Sequence, residues 1–312
     1  MTTWGLCATI LAPLHEILHF AAYHLEAGAH RLYLYLDDAD RVTFQALKPH
    51  PKIRVTVCDT RYWNERPPVK HQGRQTVNAT RAYKRAQDVD WLIHLDVDEF
   101  ICAEQPVETK LDALPKETVL TRIRPMEQLA NSKTNFKAFI PSGSDRDQIV
   151  QDLYPTFGNY LRGGFLSHLA GKVFVRTGLP DVTFRIHNAI QREEILKGCN
   201  HQPGVDLAHC HAKSWEHWRA AFEYRLQKGA YRAELASNQP RNRRGLSTHD
   251  LFKRLLTEKG DTGLRAFFDE VIADSPTLRD KLARYGLLKQ RSLAIKQPIS
   301  AHFPWIDQST GF

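Results

Sequence analysis

Apolar runs of strand length alternate with amphipathic helical segments over the first hundred residues of the chain. This repeated strand-helix-strand order predicts a parallel, doubly wound sheet with helices on its faces. The predicted strands are 4–11, 31–36, 53–57 and 91–95, and the predicted helices are 14–25, 40–47 and 72–87. A glycine at position 28 stands where the cap of the first helix belongs, which supports this division.

The pattern is less regular beyond residue 101. The segment 131–164 is polar and carries glycines and aromatic residues, so we expect loops over a cleft there. Strand patterns return in three places, at 119–123, 171–176 and 182–186. From Trp215 onward, apolar helical stripes separated by glycine and proline predict a mainly helical region. We therefore expect an α/β domain over residues 1–214 and a mainly helical C-terminal extension over residues 215–312.

Acidic side chains follow three of the predicted strands at the point where each strand ends. They are Asp37 and Asp38 after the second strand, Asp59 after the third, and Asp96, Asp98 and Glu99 after the fourth. Ligands of open α/β sheets collect beyond the carboxyl ends of the strands, so we expect a crevice lined by carboxylates. Asp96 and Asp98 flank a single residue and can offer oxygens to one hard cation. The sequence therefore predicts a Mg²⁺ or Mn²⁺ site suited to a diphosphate, although a solvated acidic turn has the same pattern.

A second polar group, with two imidazoles, an ammonium and a hydroxyl, lies in the segment Val205–Ser214. If this segment is a strand, His209 and His211 project to the same face, because the side-chain period of a strand is two. The two rings can then serve as a pair of metal ligands. The alternative is that each is a core histidine whose ring nitrogens bond to the backbone.

The charge of the chain favours a polyanionic partner. Its net charge is +8 and its pI is near 9.2, which suits nucleic acid, an anionic membrane surface or a diphosphate. Lys and Arg are spread along the sequence and the principal polar cluster is acidic, so we expect no nucleic-acid partner. Arg241, Arg243 and Arg244 lie close together between predicted helices. They form either a solvated surface or a contact with a membrane surface or an anionic acceptor.

Cysteine use and hydropathy bear on the cellular compartment. The five cysteines are scattered singly, which argues against a zinc ribbon or a disulfide scaffold. Cys7 and Cys58 lie in apolar strand patterns and are interpreted as small core residues in a reducing compartment. The first residues lack the basic leader of an export signal, and no apolar run reaches transmembrane length. We expect a cytoplasmic protein whose membrane contact, if any, is peripheral, at the inner face through the basic C-terminal part.

The segment from Trp91 to Ile101, WLIHLDVDEFI, resembles the Asp-any-Asp signature of nucleotide-sugar glycosyltransferases with the A-type (GT-A) fold, especially a bacterial branch of family 2. The resemblance includes His211, Lys213 and Ser214, because a late histidine followed by Lys-Ser occurs near the end of the catalytic domain in that branch. It implies a single Rossmann-like mixed sheet flanked by helices. It also implies metal-dependent, inverting transfer from a nucleotide-sugar donor, expected to be a UDP-sugar, to a glycan or lipid-linked acceptor in polysaccharide biosynthesis.

The same resemblance implies a metal site. Asp98 would hold Mn²⁺ or Mg²⁺, Asp96 would bind the metal or the ribose, and His211 would complete the metal shell. Inversion requires a base that deprotonates the acceptor hydroxyl. Glu99, next to the metal site, is the first candidate for that base, and His168 is the second.

Donor-binding roles also follow from the resemblance. One of Asp37 and Asp38 would accept from the uracil or the ribose, with Asp59 assisting and Arg74 near the nucleotide. Lys213 would meet a phosphate as a point charge. Lys172 would face the diphosphate, or would line the surface of the sheet.

The first predicted helix contains an alternative site. His15, Glu16 and His19 match the His-Glu-any-any-His pattern of zinc metalloproteases, in which two histidines on one helix face bind zinc and the glutamate activates water. No third ligand follows at a recognised spacing, and the strand ends of the predicted sheet point elsewhere. A zinc metallohydrolase is therefore the alternative function.

Overall fold

The computed structural model describes residues 1–161, 163–238 and 246–306. Its strands are β1 (Trp4–Ile10), β2 (Arg31–Leu36), β3 (Ile53–Val57), β4 (Trp91–His94), β5 (Glu99–Ala103), β6 (Leu120–Gln128), β7 (Asn135–Ala138), β8 (Lys172–Arg176), β9 (Val182–Phe184), β10 (Ala189–Gln191), β11 (Glu194–Ile195), β12 (Val205–His209) and β13 (Leu288–Gln290). Its α-helices are α1 (Leu14–Glu26), α2 (Arg41–Leu47), α3 (His71–Arg85), α4 (Val107–Asp112), α5 (Arg146–Leu153), α6 (Trp215–Gln227), α7 (Thr248–Val271), α8 (Pro276–Arg284) and α9 (Ile299–His302). Short 3-10 turns lie at Gly158–Tyr160 and Ala233–Asn238.

The chain divides by packing into two compact units, each made of separate chain segments. Unit 1 comprises Met1–Arg124, Ala170–Leu207 and the segment that begins at Leu293, and unit 2 comprises Pro125–Leu169 and Ala208–Ser292. The boundary predicted after residue 214 separates an A-type fold from a helical extension. It stays a prediction.

The large sheet of unit 1 begins as the sequence pattern predicts. Strands β3, β2, β1 and β4 lie side by side in that order and are parallel. Beyond β4 the sheet continues with β8 and then with the first half of β6, each antiparallel to its neighbour. A separate antiparallel sheet holds β9, β10 and β11. The fold is therefore mixed α/β, with a large sheet flanked by helices, and it is compatible with a Rossmann-like fold.

Local sequence signals account for the first elements. All seven residues of β1 are buried, as expected of a strand that is covered on both faces. Helix α1 begins after Pro13, and the chain leaves it through Gly28 at φ +94°, a conformation that favours glycine. The side chain of Asp40 accepts hydrogen bonds from the amides of Val42 and Thr43 and so caps α2.

The Asp-Val-Asp sequence lies in a tight turn between two strands. The amide of Leu95 still bonds to the carbonyl of Cys7 (3.0 Å), which continues the parallel ladder one residue past β4. The amide of Glu99 then bonds to the carbonyl of Asp96 (3.0 Å), and β5 begins at Glu99 and pairs with β12. The acidic residues therefore stand between strands, at the carboxyl end of β4.

Unit 2 has an aromatic core that draws on both of its chain segments. Trp218 of α6 packs against Phe252 and Phe267 of α7, and Leu153 of α5 belongs to the same buried cluster. The C-terminal region is mainly helical, as expected, but α6, α7 and α8 share a core with residues 125–169, whereas α9 lies in unit 1. The prediction of loops over 131–164 is wrong in part, because that segment contains β7, α5 and a 3-10 turn.

Two further expectations can be compared with the structure. Cys7 and Cys58 are buried, which confirms them as core residues. Within the described ranges, no helix combines the length and the apolar composition that a membrane crossing needs. The arginine cluster 241–244 lies outside the described residues.

Candidate functional site

Helix α3 ties together polar groups at the carboxyl edge of the unit 1 sheet. Its residue Arg74 bonds to Asp37 after β2, and Gln75 bonds to Asp96 after β4. Asn78, one turn further along, donates from Nδ2 to the hydroxyl of Thr9 in β1 (3.1 Å). Three neighbouring positions on one helix therefore contact three parallel strands near their ends.

Asp37 and Arg74 form a bidentate ion pair. The Nε of Arg74 lies 2.9 Å from each carboxylate oxygen of Asp37, and its Nη2 lies 2.8 Å from Oδ2. His71 Nδ1 lies 3.4 Å from the same Oδ2. Burial alone would raise the pKa of Asp37, but hydrogen bonds from His71 and Arg74 and the charge of Arg74 hold it below its usual value. Asp37 is therefore an ionised group that fixes Arg74 at the sheet edge.

Asp96 stands at the centre of a second network. Its Oδ2 accepts from the ammonium of Lys172 at 2.7 Å, and its Oδ1 accepts from the side-chain amide of Gln75. The side chain of Asp96 keeps 31% of its surface exposed, whereas Lys172 has none. One end of this network is therefore buried and the other reaches the surface.

Glu99 occupies the buried end. It has no exposed surface, its Oε2 lies 3.0 Å from Lys172 Nζ, and the same oxygen accepts from the amide of Asp96 at 2.8 Å. Burial lowers the pKa of Lys172, but the charges of Asp96 and Glu99 outweigh burial and raise it above its usual value. The ammonium therefore stays charged between two carboxylates. A base for an acceptor hydroxyl must reach the crevice, so this geometry suits Glu99 to positioning Lys172 and Asp96 instead.

His94 completes the buried surroundings of Lys172. Its Nδ1 lies 3.4 Å from Lys172 Nζ, and the ring is 1% exposed. Burial and then the charge of Lys172 lower the pKa of His94 to about 3. The ring is therefore neutral, and its Nδ1 is an acceptor for the ammonium.

The three other acidic residues predicted for the site, Asp98, Asp38 and Asp59, differ in their surroundings. Asp98 is half-buried in the turn between β4 and β5. Asp38 is exposed and accepts from the amide of Asp40 (3.2 Å), and the exposed Asp59 accepts from the amide of Tyr62 (2.8 Å). Asp38 and Asp59 thus hold local turns, and their predicted donor contacts stay predictions.

The rings of three histidines, His168, His209 and His211, lie near one another in unit 2, with His209 in contact with both of the others. The ring centroids of His168 and His209 are 5.3 Å apart, and those of His209 and His211 are also 5.3 Å apart. In each pair the ligand nitrogens lie within 4.8 Å of each other. The predicted strand is shorter than expected, since β12 ends at His209 and His211 follows it. Asp98 belongs to unit 1, so its sharing of an ion with His211 stays a prediction.

A hydrogen-bond chain holds the ring of His211. Its Nε2 lies 2.7 Å from the hydroxyl of Tyr231, which also accepts from Trp218 Nε1 at 3.1 Å. Trp Nε1 can only donate, so the Tyr231 hydroxyl is available to donate to His211. Burial and then the charge of Arg225 hold the pKa of His211 well below its usual value, so the ring is neutral. A metal at Nδ1 would require the other arrangement, in which Nε2 carries the ring proton and donates to the Tyr231 hydroxyl, because a protonated Nδ1 cannot be a ligand.

The segment before His168 is anchored by a buried ion pair. Glu127 accepts from the amides of Leu166 (3.0 Å) and Ser167 (2.6 Å), and Lys137 Nζ lies 3.0 Å from Glu127 Oε2. Burial raises the pKa of Glu127, but the charge of Lys137 and hydrogen bonds from Ser167 and Lys137 lower it below its usual value. Glu127 therefore fixes the backbone that presents His168. Lys213, half-buried in the same unit, accepts from the amide of Asn131 through its carbonyl (2.8 Å).

The zinc-protease pattern lies on α1. His15 is exposed, whereas His19 bonds through Nε2 to the carbonyl of Leu293 (3.0 Å) and its ring lies 5.5 Å from that of Phe100. Among the residues that the structure describes, neither histidine belongs to a group of three or more potential metal ligands. His19 is therefore accounted for by packing.

Sequence reasoning did not assign Gln75, Asn78 or Tyr231 to the site. Gln75 and Asn78 are buried on the face of α3 that also carries Ala79 and Ala82. Polar residues on the apolar face of a helix, at the end that approaches the strand ends, are the signal that could have found them. Tyr231 follows α6 in a stretch with no such pattern.

No protein-family model matches the chain, and no curated protein is similar to it in sequence. A mycobacterial protein of solved crystal structure is 13% identical, with 56% of this chain and 53% of that chain covered and a TM-score of 0.31. The HddC protein of Yersinia pseudotuberculosis is 11% identical, with 67% of this chain and 77% of that chain covered and a TM-score of 0.30. The chain thus spans about half the length of the mycobacterial protein.

Proposed function

We propose that the chain is a glycosyltransferase of the A-type fold that uses a nucleotide sugar, with a UDP-sugar as the expected donor. The observation that carries the proposal is the set of contacts made by the first half of α3. Arg74 and Gln75 fix Asp37 and Asp96 at the ends of two parallel strands, and Asp98 follows within the same turn. A crevice at such strand ends is the usual ligand site of an open α/β sheet.

The chemistry proposed is displacement at the anomeric carbon of the donor sugar. The acceptor oxygen forms a bond to that carbon while the bond to the diphosphate oxygen breaks, and the electron pair leaves with the nucleoside diphosphate. The proton of the acceptor hydroxyl passes to a base, for which His168 is the remaining candidate because Glu99 is held in a buried ion pair. The acceptor is a glycan or a lipid-linked glycan.

The residues present suit a hard divalent cation. Asp98 offers a half-buried carboxylate, and Asp96 keeps part of its carboxylate exposed while Lys172 and Gln75 fix its orientation. Oxygen ligands of this kind are preferred by Mg²⁺ and Mn²⁺, and the neutral His211 is a second type of ligand that Mn²⁺ accepts. Such an ion supplies positive charge for the oxygens of the leaving diphosphate.

Other residues of the chain would bind the anionic donor and fix the orientation of Asp96. Arg74, held by Asp37, places a fixed cation at the sheet edge, and α3 begins nearby at His71 with amide groups that favour an anion. Lys172 fixes Asp96 against β8. The donor is thus expected to lie over the ends of β1, β2 and β4.

The first experiment measures UDP binding by calorimetry with Mn²⁺ and with EDTA. We expect UDP binding to require the metal. We also expect Asp98→Asn to lose both this metal-dependent binding and sugar transfer. Asp280→Asn is the matched control, because Asp280 is an exposed carboxylate of α8 in unit 2. Equal UDP affinity in EDTA, or full transfer by Asp98→Asn, would remove the metal from the proposal.

The alternative zinc function is tested in the same preparation. A zinc metallohydrolase would carry about one zinc ion per chain, would hydrolyse peptides, and would lose both properties in His15→Ala. Sugar transfer that persists in His15→Ala, together with an absence of peptide hydrolysis, supports the glycosyltransferase.

A further inference from the structure

An open cleft of about 280 Å³ lies on the face of the unit 1 sheet beside the end of α3. It is lined by Tyr33, Tyr35, Arg54, Thr56, Arg85, Gln87 and Asp88. We propose that this cleft binds a small phosphate ester, at a site separate from the donor crevice. The proposal does not depend on the proposed transferase activity.

The sheet register builds the floor of this phosphate cleft. Tyr33 pairs with Arg54 and Tyr35 pairs with Thr56 across parallel β2 and β3. Residues two apart on a strand project to the same face, so these four side chains share one face. Strand β3 is the last strand at this end of the sheet order. The edge of that face is where the cleft opens.

The wall of the cleft comes from the end of α3 and the residues after it. Asp88 is already compensated, because it accepts from Arg31 Nε at 2.6 Å and from the Tyr33 hydroxyl at 3.0 Å. Burial raises the pKa of Asp88, but the hydrogen bonds from Arg31 and Tyr33 lower it below its usual value. Asp88 is therefore ionised and neutralised by a neighbour, so it does not cancel the cations of the cleft.

Arg54 and Arg85 are exposed, and neither has an acidic partner among the residues that the structure describes. Arg54 donates to the backbone carbonyls of Pro51 (2.9 Å) and Ile53 (3.2 Å), and no carboxylate of the described residues lies within ion-pair distance of Arg54 or Arg85. Arg85 lies in the last turn of α3, where a cation is favoured by the helix dipole. Arg54 lies on a strand, so the dipole does not explain it. The cleft thus presents two exposed positive charges that no described carboxylate pairs with.

Tyr35 gives the second, independent sign of a ligand. Its side chain is 1% exposed, it lines the cleft, and within the described part of the chain its hydroxyl has no hydrogen-bond partner. The hydroxyl is not sealed off from solvent, so a ligand with acceptor oxygens that enters the cleft can bond to it in place of water. A phosphate group supplies both the negative charge for the arginines and an oxygen for Tyr35.

Size and position distinguish this site from the donor crevice. A cleft of about 280 Å³ is near the lower limit for small-molecule sites, which suits a sugar phosphate or a smaller ester rather than a nucleotide sugar. Arg85 and Arg74 stand eleven residues apart on α3, which corresponds to roughly 16 Å along the helix. Arg85 therefore belongs to the phosphate cleft and Arg74 to the proposed donor crevice.

The test is calorimetry with inorganic phosphate and with glycerol 3-phosphate at constant ionic strength. We expect saturable binding to the unmodified chain, about tenfold weaker binding to Tyr35→Phe because a hydrogen bond to a charged group is lost, and no saturable binding to Arg54→Gln/Arg85→Gln. Arg284→Gln removes an exposed positive charge from unit 2, serves as the control and should bind normally. Circular dichroism checks that each variant is folded.

Arg74→Gln separates the two sites, because it alters the donor crevice and leaves the phosphate cleft intact. The proposal is supported if Arg74→Gln retains phosphate binding while the double arginine variant loses it. The reverse pattern would place the phosphate in the donor crevice and overturn the proposal. Equal binding by all variants, or no saturable binding by the unmodified chain, would show that Arg54 and Arg85 are solvated surface cations.

Discussion

The ammonium of Lys172 and the carboxylate of Glu99 lie 3.0 Å apart, and neither side chain has any surface exposed to solvent. The same ammonium reaches Asp96 at 2.7 Å. An ion pair with no exposed surface is costly to break from one side, because the remaining charge is left buried and uncompensated.

Lys172→Met should therefore lower the free energy of unfolding by about 3–5 kcal/mol. The double variant Lys172→Met/Glu99→Gln should recover part of this loss, because it no longer leaves an unpaired buried carboxylate. Urea unfolding of the two variants measures the difference. A loss below about 1 kcal/mol in Lys172→Met, the size of an exposed pair, would contradict the buried ion pair.

Gly171 tests how tightly the start of β8 is fixed. It has φ +67°, and an added Cβ would overlap the carbonyl oxygen of Ile123, whereas Gly178 has φ +79° with nothing within 4 Å of its Cβ position. Gly178→Ala should cost roughly 1–2 kcal/mol, which is the backbone cost alone. Gly171→Ala should cost more, and it should weaken donor binding by moving Lys172. Equal melting temperatures for the two variants would show that the strand can shift.

The free energy of unfolding should decrease as the pH falls, because the buried His24 stays neutral in the native state. Its Nδ1 donates to the carbonyl of Phe20 (2.8 Å) and its Nε2 accepts from the amide of Ile101 (3.4 Å), so the ring is neutral, and burial lowers its pKa to about 3. Because the unfolded chain has a histidine pKa near 6.5, it binds a proton that the native state excludes between about pH 6.5 and pH 3. Stability is therefore present above pH 6.5 and is lost as the pH falls.

The corresponding measurement compares unfolding free energies at several pH values. His24→Gln should reduce the slope by up to about 1.4 kcal/mol per pH unit in this window, which corresponds to one proton. His94, whose pKa is also lowered to about 3, keeps its own contribution in that variant. An unchanged slope in His24→Gln would mean that His24 takes up its proton without unfolding.

His211 and Tyr231 test the predicted histidine of the metal shell. His211→Ala should weaken Mn²⁺-dependent binding of UDP, whereas Tyr231→Phe should retain metal binding at Nδ1 and weaken it only by loosening the ring. His209 and His211 are equally buried at 7% exposure, so both alanine variants should also lower the melting temperature. Unchanged Mn²⁺ affinity in His211→Ala, measured by titration with UDP present, would make this histidine structural.

The first four strands and the helices between them could be predicted from sequence to within two residues. Their apolar periodicity is local, and residues such as Pro13, Gly28 and Asp40 mark the helix ends. The position of the Asp96 turn followed from the same strands. These features depend on residues close together in the chain.

Long-range partners could not be predicted in the same way. Lys172 contacts Asp96 from 76 residues away, and its burial in place of a surface position depends on β8 lying next to β4. The short strands β7 and β13 pair across a gap of about 150 residues, and neither has a distinctive pattern of its own. The prediction of loops over 131–164 therefore missed β7.

The segment from Leu293 packs against the opposite end of the chain. Glu26 of α1 accepts from the amide of Gln297 (2.8 Å) and from His302 (2.9 Å), and Trp305 donates to the carbonyl of Ala46 (2.7 Å). A ribosome adds roughly 5–20 residues per second, so the partners of Glu26 emerge tens of seconds after it does. During that interval α1 lacks these contacts. This face of the nascent first unit therefore stays uncovered until the segment from Leu293 has been synthesised.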